Sequence, residues 1–177
     1  MRMIDRTPIK TLNLAVRYDM AELPWSRALA QLSGGLARPE ATCFLGTVNA
    51  AGKPHAAGIG ASWCDDDVYF VTGPAMRKAR DLAENPACTI SLRLEGLDLV
   101  LEGEAERTTD PAVLEKVAAI YRDGGWPAEV AGDAFTAPHS APGAGPPPWH
   151  LYRFAFHTVT GTATAAPHGA TRWHFAA

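Results

Sequence analysis

The sequence predicts a mainly β protein in which short antiparallel strands form a barrel and a few flanking helices pack outside it. Six or seven short runs rich in β-branched and aromatic residues follow one another, and most are separated by hairpin-type turns. Two or three helical segments stand between these runs, without the regular strand–helix alternation or the GxGxxG fingerprint of a dinucleotide-binding fold. An antiparallel barrel therefore fits better than a parallel sheet.

The predicted strands are, in chain order, residues 42–48, 55–64, 68–72, 88–94, 99–107, 149–158 and 161–166, with a terminal run at 171–175. A further helix is capped by Asp110 and runs from Pro111 to about Tyr121. The strand at 55–64 is unusually rich in Gly and Ala. Such small residues indicate either a group that approaches the backbone closely or a crowded barrel interior, and both interpretations stay open.

The chain of 177 residues is long enough for a single domain with its own core. Residues 1–38 are predicted to be an N-terminal extension with one short amphipathic helix at 24–32. Residues 122–148 are predicted to be a long Gly/Pro-rich loop, which is either functional or disordered. A functional loop of this kind covers a pocket or wraps around a partner subunit.

Composition excludes several classes of function. The net charge of −3 gives no broad electrostatic case for binding nucleic acid. No apolar run approaches a membrane span of about 20 residues, and the first residues lack an apolar signal segment, so we expect a cytoplasmic protein without a membrane partner. The three cysteines lie in strand-like runs and are predicted to be buried, reduced thiols. The six histidines lack paired ligand spacing, so no metal site is predicted.

The stretch from residue 67 to residue 86 carries the strongest functional signal. A strand ends at Thr72, a bend follows at Gly73, and a helix opens with Arg77 and Lys78. Free N–H groups and the positive end of the helix dipole favour an anion at such a point. A guanidinium fork and an ammonium both suit phosphate. The alternative is that the two cations only solvate an exposed helix face.

The run YFVTGPAMRKARDLAENPACTISL, together with the hairpins around it, resembles the pyridoxamine 5′-phosphate oxidase-like superfamily. Its members are split β-barrel proteins that bind flavin or deazaflavin. The resemblance covers roughly residues 41–107 well and the C-terminal strands loosely. It implies an FMN-binding split barrel-like fold. It also implies a cofactor phosphate gripped by Arg77 and Lys78, with help from Thr72 and Gly73.

The resemblance also implies where the rest of the cofactor lies. The strand before the bend runs along the flavin ring in this superfamily, which places Gly60, Ala61, Ser62 and Trp63 near it. Members are homodimers with two sites at the interface, so residues of the partner complete each site. For this chain the implied contributors are the Gly/Pro-rich loop together with Trp149, Arg172 and Trp173.

The chain also departs from the superfamily's FMN oxidases. Those proteins carry an Arg and a Lys at positions where this chain has Ala56 and Ala61, and a Ser where it has Met76. Losing two cations argues against oxidation of vitamin B6, although residues 172–174 have the Arg-x-His spelling of the true oxidase. The spelling TGPAMRKARDL resembles members that use the deazaflavin coenzyme F-420.

We therefore expect an oxidoreductase that transfers hydride from coenzyme F-420, or from FMN as second choice, to a small unsaturated or quinone-like substrate. The cofactor carries the chemistry, so the sequence assigns no catalytic residue. The alternative is a non-catalytic carrier of a flavin or tetrapyrrole. Both functions need the same phosphate grip.

Overall fold

The computed structural model describes residues 6–36, 42–138 and 143–176. It confirms a mainly antiparallel β protein with flanking helices. Its elements are β1 (Lys10–Asn13), a 3-10 turn (Val16–Tyr18), α1 (Trp25–Gly35), β2 (Thr42–Val48), β3 (Pro54–Gly58), β4 (Ala61–Cys64), β5 (Asp67–Thr72), α2 (Arg77–Glu84), β6 (Ala87–Leu94), β7 (Leu97–Thr108), α3 (Pro111–Asp123), β8 (Glu129–Ala131), β9 (Ala134–Thr136), β10 (His150–Ala163) and β11 (Ala170–His174).

Nine strands form one antiparallel sheet. Seven of them follow the order β1-β11-β10-β7-β6-β2-β3, and β5 branches from β10 and pairs with β4. In the part of the chain that the structure describes, the end strands β1 and β3 do not pair with each other, so the sheet does not close into a complete barrel. Strand β10 has 14 residues and pairs with three other strands, which places it at the split.

Two predicted strand boundaries are wrong. The run at 55–64 divides into β3 and β4 between Gly58 and Gly60, because glycines interrupt a ladder readily. Beyond this break the chain leaves β2 and pairs with β5. The runs at 149–158 and 161–166 are one strand, β10. An added Cβ at Gly161 would lie 2.8 Å from the Trp173 ring, so this glycine serves packing and not a turn.

The predicted 122–148 loop is partly ordered, which corrects the prediction of one irregular segment. Strands β8 and β9 form a two-stranded hairpin around Gly132, whose φ of +64° suits a tight turn. The Phe135 and Trp149 backbones then exchange hydrogen bonds of 2.8 and 2.9 Å. The N-terminal extension contains a strand, β1, that the sequence does not predict, and it pairs with β11.

Two hydrophobic cores share strand β5. Val68 and Phe70 face the core enclosed by the sheet, while Tyr69 and Val71 face a second core under α3. This alternation follows from the two-residue period of a strand, and it leaves β5 buried on both faces.

The three cysteines are free and buried, as predicted. Burial raises the pKa of the Cys43 thiol to about 12.

A β-bulge in β10 depends on a glycine in the neighbouring strand. The register between β10 and β7 shifts between Phe156 and Thr158, which leaves His157 as the extra residue. Opposite this point stands Gly103. A Cβ there would lie 2.2 Å from the Ala155 carbonyl oxygen, so only glycine fits.

We expect Gly103→Ala to lower the free energy of unfolding by about 1–3 kcal/mol or more, because the added methyl collides with backbone. Gly34→Ala is the matched control, since a Cβ at this position on α1 meets nothing within 4 Å. Alanine there favours the helix by up to about 1 kcal/mol. Urea unfolding followed by tryptophan fluorescence measures both changes. Equal unfolding midpoints for the two variants would contradict the close contact at Gly103.

Candidate functional site

A groove of about 690 Å³ opens on the outer face of the sheet. Its floor consists of small residues on neighbouring strands. Gly46 lies directly opposite Ala56 on one side and Thr89 on the other. A Cβ at Gly46 would stand 2.6 Å from the Thr89 hydroxyl oxygen, so a larger residue would require the Thr89 side chain to rotate. The other lining residues are Thr47, Val48, Pro54, His55, Ala87, Cys88, Glu102, Gly103 and His157.

Helix α2 packs against β2, one of the strands that line this groove. Thr47 is buried, and its hydroxyl donates a 2.8 Å hydrogen bond to the Asp81 carboxylate on α2. That carboxylate lies 3.7 Å from Nε of Arg77. The Arg77 side chain is 44% exposed, so its guanidinium remains open to solvent. Asp81 is buried, and its carboxylate supplies a nearby negative charge without a hydrogen bond to Arg77.

Lys78 is placed differently, although it is the next residue. Only 3% of it is exposed, and its ammonium donates to the Gly143 carbonyl oxygen. Burial lowers the pKa of Lys78. The Gly73 N–H donates to the Ala144 carbonyl oxygen at 2.7 Å. Backbone carbonyls of residues 143–144 thus bind two donors that the sequence assigns to a phosphate.

Thr72 ends β5 immediately before the bend. It is fully buried, and its hydroxyl has no hydrogen-bond partner among the described residues. Leaving a buried hydroxyl unpaired costs free energy, so such a group either is strained or receives a partner from a ligand. It lies beside Gly73, which is also buried and whose N–H is bonded to the Ala144 carbonyl oxygen.

The predicted ring contacts lie on the far side of the break between β3 and β4. Gly60 is exposed, Ala61 and Ser62 are buried, and Trp63 is half-buried against Phe156 with 6.2 Å between ring centroids. The groove is lined instead by residues 54–56, the first part of the same predicted strand. The ring contacts at residues 60–63 stay a prediction, and the groove is lined by the other half of the same predicted strand.

The three predicted C-terminal site residues do not line the groove of their own protomer. Trp149 is fully buried in the second core and donates from Nε1 to the Gly145 carbonyl oxygen at 2.9 Å. Trp173 is 1% exposed in the first core. Arg172 is half-buried and donates to the Thr160 hydroxyl. Trp149 thus supports the segment that covers Lys78, and a contribution of Arg172 to a partner's site stays a prediction.

Three polar residues of the groove were not predicted as site residues, namely His55, Glu102 and His157. They come from β3, β7 and β10, which are far apart in sequence. Only the pairing of the strands brings them to one face, so no local pattern marks them.

The described residues contain no group of three His, Cys, Asp or Glu side chains placed to hold a metal ion. None of their helices is long and apolar enough to cross a membrane.

Comparison with known proteins defines the family. The family model of pyridoxamine 5′-phosphate oxidase matches residues 35–163. The chain belongs to this family. Its members bind flavins, and the open antiparallel sheet is the family's split-barrel fold. No curated protein matches the chain in sequence.

Solved structures share the fold at low identity. A pyridoxamine 5′-phosphate oxidase-related, FMN binding protein from Nostoc punctiforme is 18% identical with a TM-score of 0.59, over 89% of this chain and 93% of that one. PhzG from Burkholderia lata, in complex with tetrahydrophenazine-1-carboxylic acid, is 20% identical with a TM-score of 0.53, over 86% and 85%. A heme binding protein from Mycobacterium smegmatis is 15% identical with a TM-score of 0.57, over 85% and 59%.

We expect Thr72→Val to leave the free energy of unfolding of the ligand-free protein unchanged or to raise it by up to about 1 kcal/mol, because it removes a buried unpaired hydroxyl. Thr47→Val is the matched control. Thr47 is equally buried, but its hydroxyl is bonded to Asp81, so its loss is expected to cost about 1–3 kcal/mol. Urea unfolding measures both. A destabilised Thr72→Val variant would show that this hydroxyl has a partner within the folded chain.

Proposed function

We propose that this protein is an oxidoreductase that binds a phosphate-bearing flavin-type cofactor, with coenzyme F-420 favoured, and passes hydride to a small organic substrate. The groove, which Thr47 and Asp81 connect to the exposed Arg77, is the observation that carries this proposal. Its floor of Gly46, Ala56 and Thr89 presents backbone and short side chains to a flat ring. The planar fork of Arg77 suits the cofactor phosphate.

The residues around the bend fit a phosphate with one condition. Arg77 fits directly, because it is half exposed and its 3.7 Å contact with Asp81 is longer than a hydrogen bond. Thr72 adds an unpaired hydroxyl. Lys78 fits only when an anionic oxygen replaces the Gly143 carbonyl as its partner. When bound, the cofactor supplies the hydride, while these residues bind and orient it.

Two observations support F-420 over FMN. The run TGPAMRKARDL resembles members that use F-420. Ala56 in the groove takes the place of an Arg that the FMN oxidases carry. FMN remains the second candidate, because the Nostoc punctiforme protein with the same fold is described as FMN binding. A flat carboxylate-bearing compound accompanies PhzG, which supports a planar organic substrate.

We expect Arg77→Ala and Lys78→Ala each to weaken cofactor binding by about 1.5–3 kcal/mol, the usual contribution of a hydrogen bond to a charged group. Arg80→Ala is the matched control, because Arg80 is an exposed residue of the same helix that donates to the Ala75 carbonyl oxygen. Fluorescence titrations of the ligand-free protein with F-420 and with FMN give the dissociation constants.

Affinities of Arg77→Ala and Lys78→Ala equal to that of Arg80→Ala would remove the phosphate assignment. Tighter binding of FMN than of F-420 to the unmodified protein would move the cofactor assignment to FMN. Tight binding without turnover of enones or quinones would favour a carrier.

We further propose that two copies of the chain form a homodimer through the face that carries the groove. Phe44 and Val100 point outward there, 48% and 39% exposed, and Ser91 lies between them on β6. These side chains form an apolar strip next to the open side of the groove. A second copy that covers the strip would also complete the walls of the site.

We expect light scattering to give twice the chain mass of 18.9 kDa. Phe44→Asp is expected to shift the protein toward monomer, because it places a charge in the apolar strip. Val16→Asp is the control, since Val16 is 68% exposed but lies in the 3-10 turn outside the sheet. A monomeric unmodified protein that still binds cofactor tightly would overturn the dimer.

A further inference from the structure

Two histidines and one threonine form a continuous hydrogen-bonded unit at the end of the groove. His157 lines the groove, and its Nδ1 lies 3.0 Å from the Thr158 hydroxyl oxygen. The same hydroxyl oxygen lies 3.2 Å from Nδ1 of His174. Thr158 is buried, whereas His157 is exposed. The unit therefore leads from His174 on β11 through a buried hydroxyl to a ring that faces the groove.

The backbone holds His157 in this position from three directions. It is the extra residue of the β10 bulge, and its side chain stays on the exposed face of the strand, like those of Arg153 and Ala155. The bulge requires Gly103 on β7, as described above. The His157 carbonyl oxygen accepts a 2.9 Å hydrogen bond from the Phe175 N–H, next to His174. Bulges of this kind commonly re-aim a side chain near an active site.

The shared hydroxyl couples the protonation of the two rings. Thr158 has one proton, so it can donate to only one of the two Nδ1 atoms, and the other Nδ1 must carry a proton and donate to Oγ1. When Thr158 donates to His157, the neutral His157 ring carries its own proton on Nε2, the nitrogen that is free of Thr158. When the direction reverses, His157 Nδ1 is protonated and Nε2 becomes an acceptor. A proton that enters at His174 can therefore leave from His157.

We propose that His157, Thr158 and His174 form a proton relay that serves the groove, with His157 as the catalytic proton donor and Thr158 and His174 as positioning residues. This inference rests on the proposed function. Hydride transfer to a conjugated carbonyl compound needs one proton to balance it. His157 releases the Nε2 proton to the substrate oxygen as the electron pair of its double bond moves there. In the same step His157 Nδ1 takes the Thr158 proton, and Thr158 takes the Nδ1 proton of a His174 imidazolium, which becomes neutral and regains its proton from solvent.

The surroundings of the relay are compatible with this path. Glu102 lies opposite Thr158 on β7, and Lys10 lies opposite His174 on β1. Arg172 points to the same face two residues before His174, and it is engaged with Thr160. His55, the other histidine of the groove, comes from β3 at its far end. The described structure gives it no side-chain hydrogen bond like that of His157.

The first test needs no cofactor. Long-range ¹H–¹⁵N correlation spectra of the ligand-free protein report which ring nitrogen of each histidine is protonated. We expect complementary states at the two Nδ1 atoms, one protonated and one not, and loss of this pattern in Thr158→Val, which keeps the shape but lacks the hydroxyl. Thr158→Ser is expected to restore it. Identical histidine signals in the unmodified protein and Thr158→Val would overturn the relay.

The second test measures proton delivery. Single-turnover oxidation of reduced cofactor by 2-cyclohexen-1-one is expected to slow 100-fold or more in His157→Gln, as for loss of a general acid. The expected slowing is about tenfold in Thr158→Val, with recovery in Thr158→Ser. His168→Gln, in an exposed loop away from the sheet face, is the control and keeps the rate. Cofactor dissociation constants are expected to stay within about twofold in all variants, since none of these residues lies at the phosphate end.

The outcomes separate the relay from the proposed function. Normal cofactor binding and turnover with an unchanged rate in His157→Gln would overturn the relay and leave the oxidoreductase in place. Cofactor binding without turnover in the unmodified protein would overturn both the oxidoreductase activity and the catalytic relay, and would favour a carrier. Failure of the unmodified protein to bind either cofactor would reject the proposed function, and the histidine spectra alone would then decide whether the hydrogen-bonded unit exists.

Discussion

The structure depends on one constraint, which is that β10 pairs with three different strands. On one edge it pairs with β7 along nearly its whole length. On the other edge residues 150–154 pair with β5 and residues 158–162 pair with β11, so the backbone between them has no strand beside it. Buried peptide groups must find partners, and two contacts supply them here. The Phe156 carbonyl oxygen accepts from Arg6, and the His157 carbonyl oxygen accepts from the Phe175 N–H.

The Arg6 side chain makes several contacts at this junction. Its guanidinium also pairs with Asp67 at the start of β5 and lies 4.3 Å above the centre of the Phe156 ring. Asp67 in turn accepts from Arg153 at 2.6 Å, one strand away. The Asp67 carboxylate is buried, so removing one cation would leave it only partly compensated. The ion pairs of Asp67 with Arg6 and Arg153 thus stabilise the junction where the sheet divides. The bulge presents His157 at the same junction.

The sequence predicts those parts of the fold that local patterns determine. The apolar run at 42–48 gives the bounds of β2, and Asp110 caps α3 as expected, accepting from the Ala112 N–H at 2.8 Å. The errors come from residues whose role depends on distant partners. In the sequence Gly161 looks like a break between two strands, but in the structure it makes room for the Trp173 ring. Strand β1 is too short and polar to be recognised in the sequence, and its pairing with β11 shows that it is a strand.

The same distinction applies to the site. Arg77 and Lys78 belong to a strand–bend–helix unit that is contiguous in sequence, so their pattern can be found without the structure. Their exposure cannot, because a segment about 65 residues away covers Lys78 and leaves Arg77 open. The groove is still less accessible to prediction. Its polar residues come from five strands, and a bulge that the sequence does not mark presents His157.

The segment that covers Lys78 has two ends of unequal strength. At one end Trp149 is fully buried in the second core, and such a side chain contributes roughly 3–5 kcal/mol by comparison with its removal. At the other end two hydrogen bonds hold it. Lys78 donates to the Gly143 carbonyl oxygen, a contact that contributes about 1.5–3 kcal/mol, and the Gly73 N–H donates to the Ala144 carbonyl oxygen, which contributes about 0.5–1.5 kcal/mol. A phosphate oxygen makes a stronger, charge-assisted bond to the same ammonium. Under the proposed function, an anionic oxygen replaces Gly143 as the partner of Lys78 while the Trp149 anchor and the core around it stay in place.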